Sequence, residues 1–88
     1  MTEWKKMQAG KIYNDFDPDL FNRRVEAKKL FRAYNQTEDS EVEKRKDIMQ
    51  KLFKSVGKNV WIEPDFRCEF GKNITIGNDV YINFGCVI

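Results

Sequence analysis

The side chains that most often carry out chemistry in proteins are few in this sequence. It contains two cysteines, Cys68 and Cys86, and fourteen carboxylates, but no histidine. A structural zinc site needs four nitrogen or sulfur ligands, and two isolated cysteines do not supply them. The general base at neutral pH is most often a histidine, and no carboxylate is spaced in a way that argues for a replacement. The residues alone therefore predict neither a metal site nor an obvious catalytic base.

The charges are nearly balanced and interleaved. Sixteen basic and fourteen acidic residues give a formal net charge of +2, whereas a nucleic-acid-binding domain needs clustered excess Lys and Arg. The longest apolar run is far shorter than the roughly 20 residues that span a bilayer, and no signal peptide is visible. We therefore expect a cytoplasmic protein that binds neither nucleic acid nor membrane.

The segment that must position any site is a repeat of short strands in residues 60–88. Apolar side chains alternate with others in five clusters, and the later clusters recur with a step of six residues. A strand and a corner every six residues is typical of a parallel β-helix, and an antiparallel meander of hairpins is the alternative. A slip of two residues at 70–73 predicts one lengthened corner. The clusters are 60–62, 66–70, 74–76, 80–82 and 86–88, and both cysteines fall on inward-facing positions where they need no disulfide.

Two amphipathic helices are predicted near the start of the chain. Thr2 can cap the first, which would stop at Gly10. Asp17 followed by Pro18 is a helix start, because the carboxylate caps and proline fits the first helical position. This second helix should run to about Tyr34. Its predicted buried stripe consists of Leu20, Phe21, Val25, Ala27, Leu30, Phe31 and Tyr34.

A third helix is predicted between a capping box and a terminating glycine. Ser40 and Glu43 have the spacing of the box, and Gly57 stands where a left-handed terminator belongs. Asn59 would then open the first strand. The predicted buried residues are Val42, Ile48, Met49, Leu52, Phe53 and Val56, and the basic residues predicted to face solvent are Lys44, Arg45, Lys46, Lys51 and Lys54.

The predicted layout is a helical cap, residues 1–57, followed by the start of a β-coil, residues 58–88. A solenoid needs its end covered, and the helices need an apolar surface on which to dock. The sequence stops on apolar residues in the middle of a coil, where a free strand invites pairing with another chain. We therefore expect the front part of a longer protein, which alone would associate or remain marginally stable.

Segments in both halves resemble one known family. Residues 7–13, 17–20 and 38–45 are similar to the N-terminal helical cap of the maltose and galactoside O-acetyltransferases. Residues 56–57, 61–64, 66–68, 71–74 and 76–78 are similar to the beginning of that family's left-handed β-helix, so the resemblance covers essentially the whole chain. It implies an α+β fold in which amphipathic helices cap the first one to two coils of a left-handed parallel β-helix. It also implies a trimeric enzyme that transfers acetyl from acetyl-CoA to a hydroxyl of maltose, glucose or a galactoside.

The resemblance further implies which residues bind the acceptor sugar. The matching positions are Asp15, Arg24, Glu69, Tyr81 and Asn83. A carboxylate such as Asp15 accepts hydrogen bonds from sugar hydroxyls, and Arg24 could donate to sugar oxygens. Asn83, at a corner after a strand, could donate to the oxyanion of a tetrahedral acyl-transfer intermediate. Glu69 departs from the family, where a shorter Asp or Ser is usual, which leaves the identity of the sugar open.

Each of these residues also has a purely structural interpretation. Asp15 could cap a turn, and Asn83 could supply the left-handed geometry of a corner. Arg24 and Glu69 could be solvated surface charges. Tyr81 could pack against a subunit interface.

The resemblance places the catalytic histidine and the acetyl-CoA site on later coils. Neither a histidine nor those coils are present in this sequence. We therefore expect the chain alone to be inactive and not to bind acetyl-CoA. The alternative function is a non-enzymatic interaction or oligomerisation module built on a capped β-coil. Further coils with histidine in the downstream coding sequence would favour the enzyme, and a stop codon would favour the module.

Overall fold

The computed structural model describes residues 2–88, in which three α-helices precede six strands of two residues each. The chain is therefore an α+β protein, with a short 3-10 helix between the two sets of three strands. None of the helices in residues 2–88 is both long and apolar enough to cross a bilayer. In chain order the elements are α1 Glu3–Gln8, α2 Pro18–Asn35, α3 Val42–Leu52, β1 Ser55–Val56, β2 Trp61–Ile62, β3 Phe66–Arg67, the 3-10 helix Gly71–Asn73, β4 Thr75–Ile76, β5 Tyr81–Ile82 and β6 Cys86–Val87.

The first two helices begin at the predicted caps. The Thr2 hydroxyl accepts a hydrogen bond from the backbone N–H of Lys5 at 3.1 Å. The Asp17 carboxylate accepts from the N–H groups of Asp19 and Leu20 at 3.0 and 3.4 Å. These bonds satisfy amide groups that have no partner within the first helical turn. Both predicted starts are confirmed.

The predicted start of the third helix is wrong. The cap residue of α3 is Glu41, which makes no side-chain cap hydrogen bond, and Ser40 lies outside the helix. The Glu41 carboxylate instead accepts a hydrogen bond from the backbone N–H of Glu38 at 2.9 Å. That contact shapes the turn before α3, and the capping box with Glu43 does not form.

The predicted end of the third helix is also wrong. Helix α3 stops at Leu52, and Gly57 directly follows strand β1, which lies ahead of the predicted first strand at Asn59. A Cβ atom on Gly57 would lie 2.4 Å from Asn78 Oδ1 and 2.5 Å from the Gly77 carbonyl oxygen. Glycine is needed at this position because residues 77 and 78 approach its backbone closely, and it does not terminate a helix.

The first three strands pair in parallel with the last three, in the pairs β1–β4, β2–β5 and β3–β6. Ser55 is aligned with Thr75 in the pair β1–β4. The pairs β2–β5 and β3–β6 are also parallel and align residues 61 with 81 and 66 with 86. The offset is therefore twenty residues each time, and the meander of hairpins is excluded for residues 2–88. The 3-10 helix Gly71–Asn73 forms the lengthened corner that the phase slip predicts.

The hydrophobic core lies between helices α2 and α3 and the inner faces of the strands. Phe53 and Phe66 meet edge to face at its centre, with ring centroids 5.7 Å apart. Three residues predicted to be buried are instead exposed: Phe21 by 61%, Val25 by 47% and Val42 by 51%. They lie beside the buried stripes, on faces that no other element covers. The buried cluster comprises Ala27, Phe31, Tyr34, Ile48, Met49, Leu52, Phe53, Ile62, Phe66, Cys68 and Ile76.

Arg45 was predicted to face solvent, and the structure corrects this. Its side chain is only 3% exposed. The guanidinium donates to the hydroxyl and carbonyl of Thr37 at 2.7 and 3.2 Å and to Asp39 at 3.1 Å. It also lies 5.7 Å from the ring centroid of Tyr34 and 5.2 Å from that of Trp61. The turn between α2 and α3 buries polar groups that need a donor, and Arg45 supplies it.

The end of helix α2 covers the free edge of the first strands. The Tyr34 hydroxyl donates to the Ile62 carbonyl at 2.6 Å. The Asn35 side-chain amide both donates to the carbonyl and accepts from the N–H of Phe66, each at 2.9 Å. A neighbouring strand would make the same two hydrogen bonds with Phe66. The end of α2 therefore satisfies the edge of β3 that does not pair with β6.

Candidate functional site

One arginine joins two distant acidic residues at the surface where the helices meet the strands. Arg24 Nε, on helix α2, donates to Glu69 Oε1 at 2.8 Å. Its Nη1 donates to the backbone carbonyl of Asp15 at 2.7 Å, and its Nη2 donates to the Asp15 carboxylate. Glu69 is 45 residues away from Arg24 in the chain. The fold therefore assembles three of the five predicted binding residues into one group, called here the Arg24 cluster (Asp15, Arg24 and Glu69).

Aromatic rings support the guanidinium from below. The Arg24 guanidinium carbon lies 4.9 Å from the ring centroid of Phe70. Phe70 in turn packs edge to face on Trp4 of helix α1, with centroids 5.6 Å apart. The Arg24 side chain is 18% exposed, whereas those of Asp15 and Glu69 are 60% and 65% exposed. The arginine is thus held in place by packing, and the carboxylates face solvent.

The cluster carries two negative charges and one positive charge. The hydrogen bond with Glu69 raises the pKa of Arg24, burial lowers it, and Asp15 raises it again, with a net upward shift. Arg24 therefore stays charged, and three of its five N–H groups already have protein acceptors. Asp15 Oδ2 and Glu69 Oε2 have no hydrogen-bond partner within residues 2–88, so both oxygens can accept further hydrogen bonds.

The loop that carries Asp15 is fixed on both of its sides. The Glu3 carboxylate accepts from the backbone N–H of Asn14 at 2.7 Å. Asn14 Oδ1 in turn accepts from the N–H of Phe16 at 3.1 Å. The bond from Asn14, with a smaller effect of Lys6, holds the pKa of Glu3 below its usual range. Sequence reasoning missed Glu3 because no local pattern links it to a residue eleven positions away.

Tyr81 and Asn83 do not join the Arg24 cluster within residues 2–88. Tyr81 lies on the outer face of β5, 63% exposed, beside Trp61 in the parallel register. Asn83 Oδ1 accepts from the backbone N–H of Phe84 at 2.9 Å. The residue with positive φ at this corner is Gly85, at φ 75°, so Asn83 does not supply left-handed geometry. Its side-chain N–H groups have no partner in the described chain and remain available as donors.

The two cysteines differ in their exposure to solvent. Cys68 is 4% exposed, and burial raises the pKa of its thiol to about 11. Cys86 is partly exposed, and the two thiols are not joined by a disulfide. Residues 2–88 contain no group of three or more acidic, cysteine or histidine side chains that could hold a metal ion.

Comparison with known proteins gives consistent results. Galactoside O-acetyltransferase of Escherichia coli (strain K12) is 39% identical over 88 residues, covering 100% of this chain and 42% of the relative. The crystal structure of a maltose O-acetyltransferase from Clostridium difficile 630 superimposes with a TM-score of 0.95 at 43% identity, covering 100% of this chain and 47% of that one. A galactoside acetyltransferase in complex with coenzyme A superimposes with a TM-score of 0.84 at 37% identity, covering 96% and 42%.

The chain spans less than half the length of these relatives. The family pattern described as the maltose acetyltransferase hexapeptide capping motif matches residues 6–57, which include all three helices except the start of α1. The predicted resemblance is confirmed, and the chain belongs to the maltose and galactoside acetyltransferase family of hexapeptide-repeat proteins.

Proposed function

We propose that this chain is the acceptor-binding N-terminal part of an acetyl-CoA-dependent sugar O-acetyltransferase. Residues 1–57 form its helical cap, and residues 58–88 begin a left-handed parallel β-helix. Support for the coil comes from the three parallel strand pairs with their constant offset of twenty residues. Strand β1, at Ser55–Val56, lies just before the proposed boundary and joins the coil to α3.

The observation that carries the proposal is the bridge from Arg24 to both carboxylates. Arg24 positions Asp15 and Glu69, whose free oxygens then accept hydrogen bonds from neighbouring sugar hydroxyls. Bonds to a charged acceptor are stronger than bonds between neutral groups, and a pre-formed pair of acceptors loses little entropy on binding. The acceptors proposed are maltose, glucose and galactosides, which the names of the relatives suggest.

Tyr81 and Asn83 complete the site from a second copy of the chain in a homotrimer. In their own chain they lie at a different corner from the Arg24 cluster, so a second copy would have to bring them to it. The free amide of Asn83 is a suitable donor for the oxyanion of the acetyl-transfer intermediate. Coenzyme A is bound in a galactoside acetyltransferase of the family, and we place the acetyl-CoA site of this protein on coils after residue 88.

The chain by itself should not transfer acetyl groups, since it has no histidine to deprotonate a sugar hydroxyl. The measurement is an assay with acetyl-CoA and a panel of maltose, glucose and methyl galactoside, with full-length E. coli galactoside O-acetyltransferase as the positive control. We expect no turnover above the rate without protein. Turnover that copurifies with the 88-residue chain would overturn this part of the proposal.

Acceptor binding by the chain can be measured separately by NMR titration with the same sugars. We expect backbone signals of residues 14–16 and 69 to shift. The Asp15→Asn substitution should weaken binding about tenfold, because a charged acceptor becomes neutral. Asp47→Asn is the matched control, since that carboxylate is similarly exposed at 64% but lies on α3 and pairs with Lys51. Sugar affinity that is unchanged by both substitutions would refute the role of the Arg24 cluster.

A second function is supported by exposed apolar residues on the last two strands and directly beside them. Tyr81, Phe84, Val87 and Ile88 are exposed by 63%, 71%, 74% and 46%. Such a surface is typical of an interaction or oligomerisation module. The downstream coding sequence separates the two functions, since further coils with histidine support the enzyme and a stop codon supports the module.

A further inference from the structure

A small cavity lies where the three helices meet the lengthened corner at Gly71–Asn73, and it is called here the corner cavity. Its volume is about 220 Å³. Its apolar wall is formed by Trp4, Ala27, Leu30, Leu52 and Phe70. We propose that the corner cavity binds a small monocarboxylate that carries an aryl or short alkyl group. No member of the Arg24 cluster lines it, so this inference does not depend on the proposed acceptor site.

The walls of the corner cavity are fixed to one another. Gln8 Nε2, on helix α1, donates to Asn73 Oδ1 at 3.0 Å, which ties that helix to the corner. A Cβ atom on Gly71 would lie 2.3 Å from the Leu52 carbonyl oxygen, so the corner packs directly against the end of α3. Because these elements already hold each other, a ligand would enter a preformed space and order little of the chain on binding.

The size and lining of the corner cavity suit one small apolar group. In another protein, an apolar cavity of about 150 Å³ is large enough to bind benzene. A phenyl ring or an alkyl chain of similar volume therefore fits here, and its burial against the wall is favourable. A polyhydroxylated ligand would lose water from its hydroxyl groups against this wall without gaining partners for them there.

Arg23 supplies the polar contact at the rim of the corner cavity. Its guanidinium carbon lies 3.9 Å from the ring centroid of Trp4, and its Nε donates to Asp19 at 3.0 Å. Its Nη1 and Nη2 groups have no acceptor within residues 2–88, and the side chain is 36% exposed. A guanidinium held on two sides thus presents free N–H groups in the planar arrangement that matches the two oxygens of a carboxylate.

The other charged residues at the rim favour a ligand with a single negative charge. Lys51 and Lys72 also line the corner cavity, and Glu26 is the one acidic residue among its described lining. The Lys51 ammonium already pairs with Asp47 at 3.1 Å, and that of Lys72 donates to the Phe53 carbonyl at 3.4 Å. The excess of positive charge attracts an anion. Only Arg23 offers unused planar donors, so one carboxylate is the group that fits.

The test is an NMR titration of the 88-residue chain with phenylacetate, 2-phenylethanol and acetate. Phenylacetate should shift the signals of the Trp4 indole N–H and of the Leu30 and Leu52 methyl groups. It should bind about tenfold more tightly than 2-phenylethanol, which lacks the charge-assisted hydrogen bonds. Acetate should bind still more weakly than phenylacetate, because it has no group to fill the apolar wall.

Arg23→Gln should weaken phenylacetate binding about tenfold and leave the affinity for 2-phenylethanol within about twofold, since only the carboxylate contact is lost. A purely structural effect of the substitution would weaken both ligands alike. Arg32→Gln is the matched control, because this arginine is exposed on the same helix and does not line the corner cavity.

Three results would overturn the inference. Phenylacetate that shifts none of the cavity signals would show that the cavity holds only water. Equal affinity for phenylacetate and 2-phenylethanol would show that the rim does not select a carboxylate. An equal loss in Arg23→Gln and Arg32→Gln would show that the anion responds only to the net charge of the surface. None of these results bears on sugar binding at the Arg24 cluster.

Discussion

Two arginines on neighbouring helices show how far residue type alone predicts a role. Arg24 and Arg45 both lie in charge-rich segments, and spacing places both on solvated faces. The fold buries Arg45 beneath the turn that precedes α3, where it satisfies Thr37. It places Arg24 between two carboxylates, one of them 45 residues distant. Only the family resemblance singled out Arg24, because contacts at that separation leave no periodic trace in the sequence.

The buried thiol gives a prediction for alkaline pH. The pKa of Cys68 is raised by burial to about 11 from an ordinary value of 9.0. The unfolded chain therefore loses this proton first, and its contribution to stability is present below pH 9 and lost as the pH rises toward 11. The complete loss amounts to about 3 kcal/mol, since a shift of one pKa unit corresponds to about 1.4 kcal/mol.

Urea unfolding of the native chain and of Cys68→Ala between pH 8 and 11 measures this loss. Tyrosines and lysines titrate in both proteins, so the difference between the two slopes isolates the thiol. We expect the native chain to lose more stability than the variant over this interval. Parallel slopes would show that the Cys68 thiolate is tolerated in the core.

At the scale of elements, the sequence predicts hydrogen bonds that cap a helix locally, but it does not predict other hydrogen bonds that replace them. Asp17 and Thr2 cap their helices as predicted because no other group competes for the first amides. At α3 the carboxylate of Glu41 bonds backward to Glu38, and this bond takes precedence over the predicted capping box. Strand β1 was missed because its two residues, Ser55 and Val56, are too few to show alternation.

The two candidate caps provide a paired prediction. Asp17→Ala should destabilise the chain by about 1 kcal/mol, the usual effect of removing a capping carboxylate. Ser40→Ala should change the free energy of unfolding by less than about 0.5 kcal/mol, as expected for an exposed residue outside such a contact. Thermal or urea unfolding followed by circular dichroism measures both. An equal loss in the two variants would indicate that Ser40 does cap α3 in solution.

The overall arrangement of helices and strands is predicted well from the sequence, but one contact between them is not. The inward positions of Ile62, Phe66 and Ile76 were predicted from alternation and are buried. The packing of the helices against the strands is also predicted, because both present apolar surface that must be covered. The reciprocal bonds of Asn35 with Phe66 were not, since a side chain that replaces a strand has no sequence signature.

The unpaired edges of the later strands lead us to expect that the chain associates with itself. Val87 on β6 is 74% exposed, and the outer edges of β4 to β6 have no partner within residues 2–88. Sedimentation velocity should show concentration-dependent association of the chain. Val87→Lys should shift it toward the monomer, because a charge opposes strand pairing at an edge. Val25→Lys, at a residue 47% exposed on α2, should not. A native chain that stays monomeric at all concentrations would contradict this expectation.

The constant offset of twenty residues between paired strands has a consequence for how such a gene can change in length. An added or deleted codon within a strand would move the side chains that follow it in that strand from the inner face to the outer face. The corner at Gly71–Asn73 already departs from the regular step of six residues. All three strand pairs span this corner, and each keeps the same offset. Length variation among natural variants should therefore concentrate at that corner, and the other corners should keep their size.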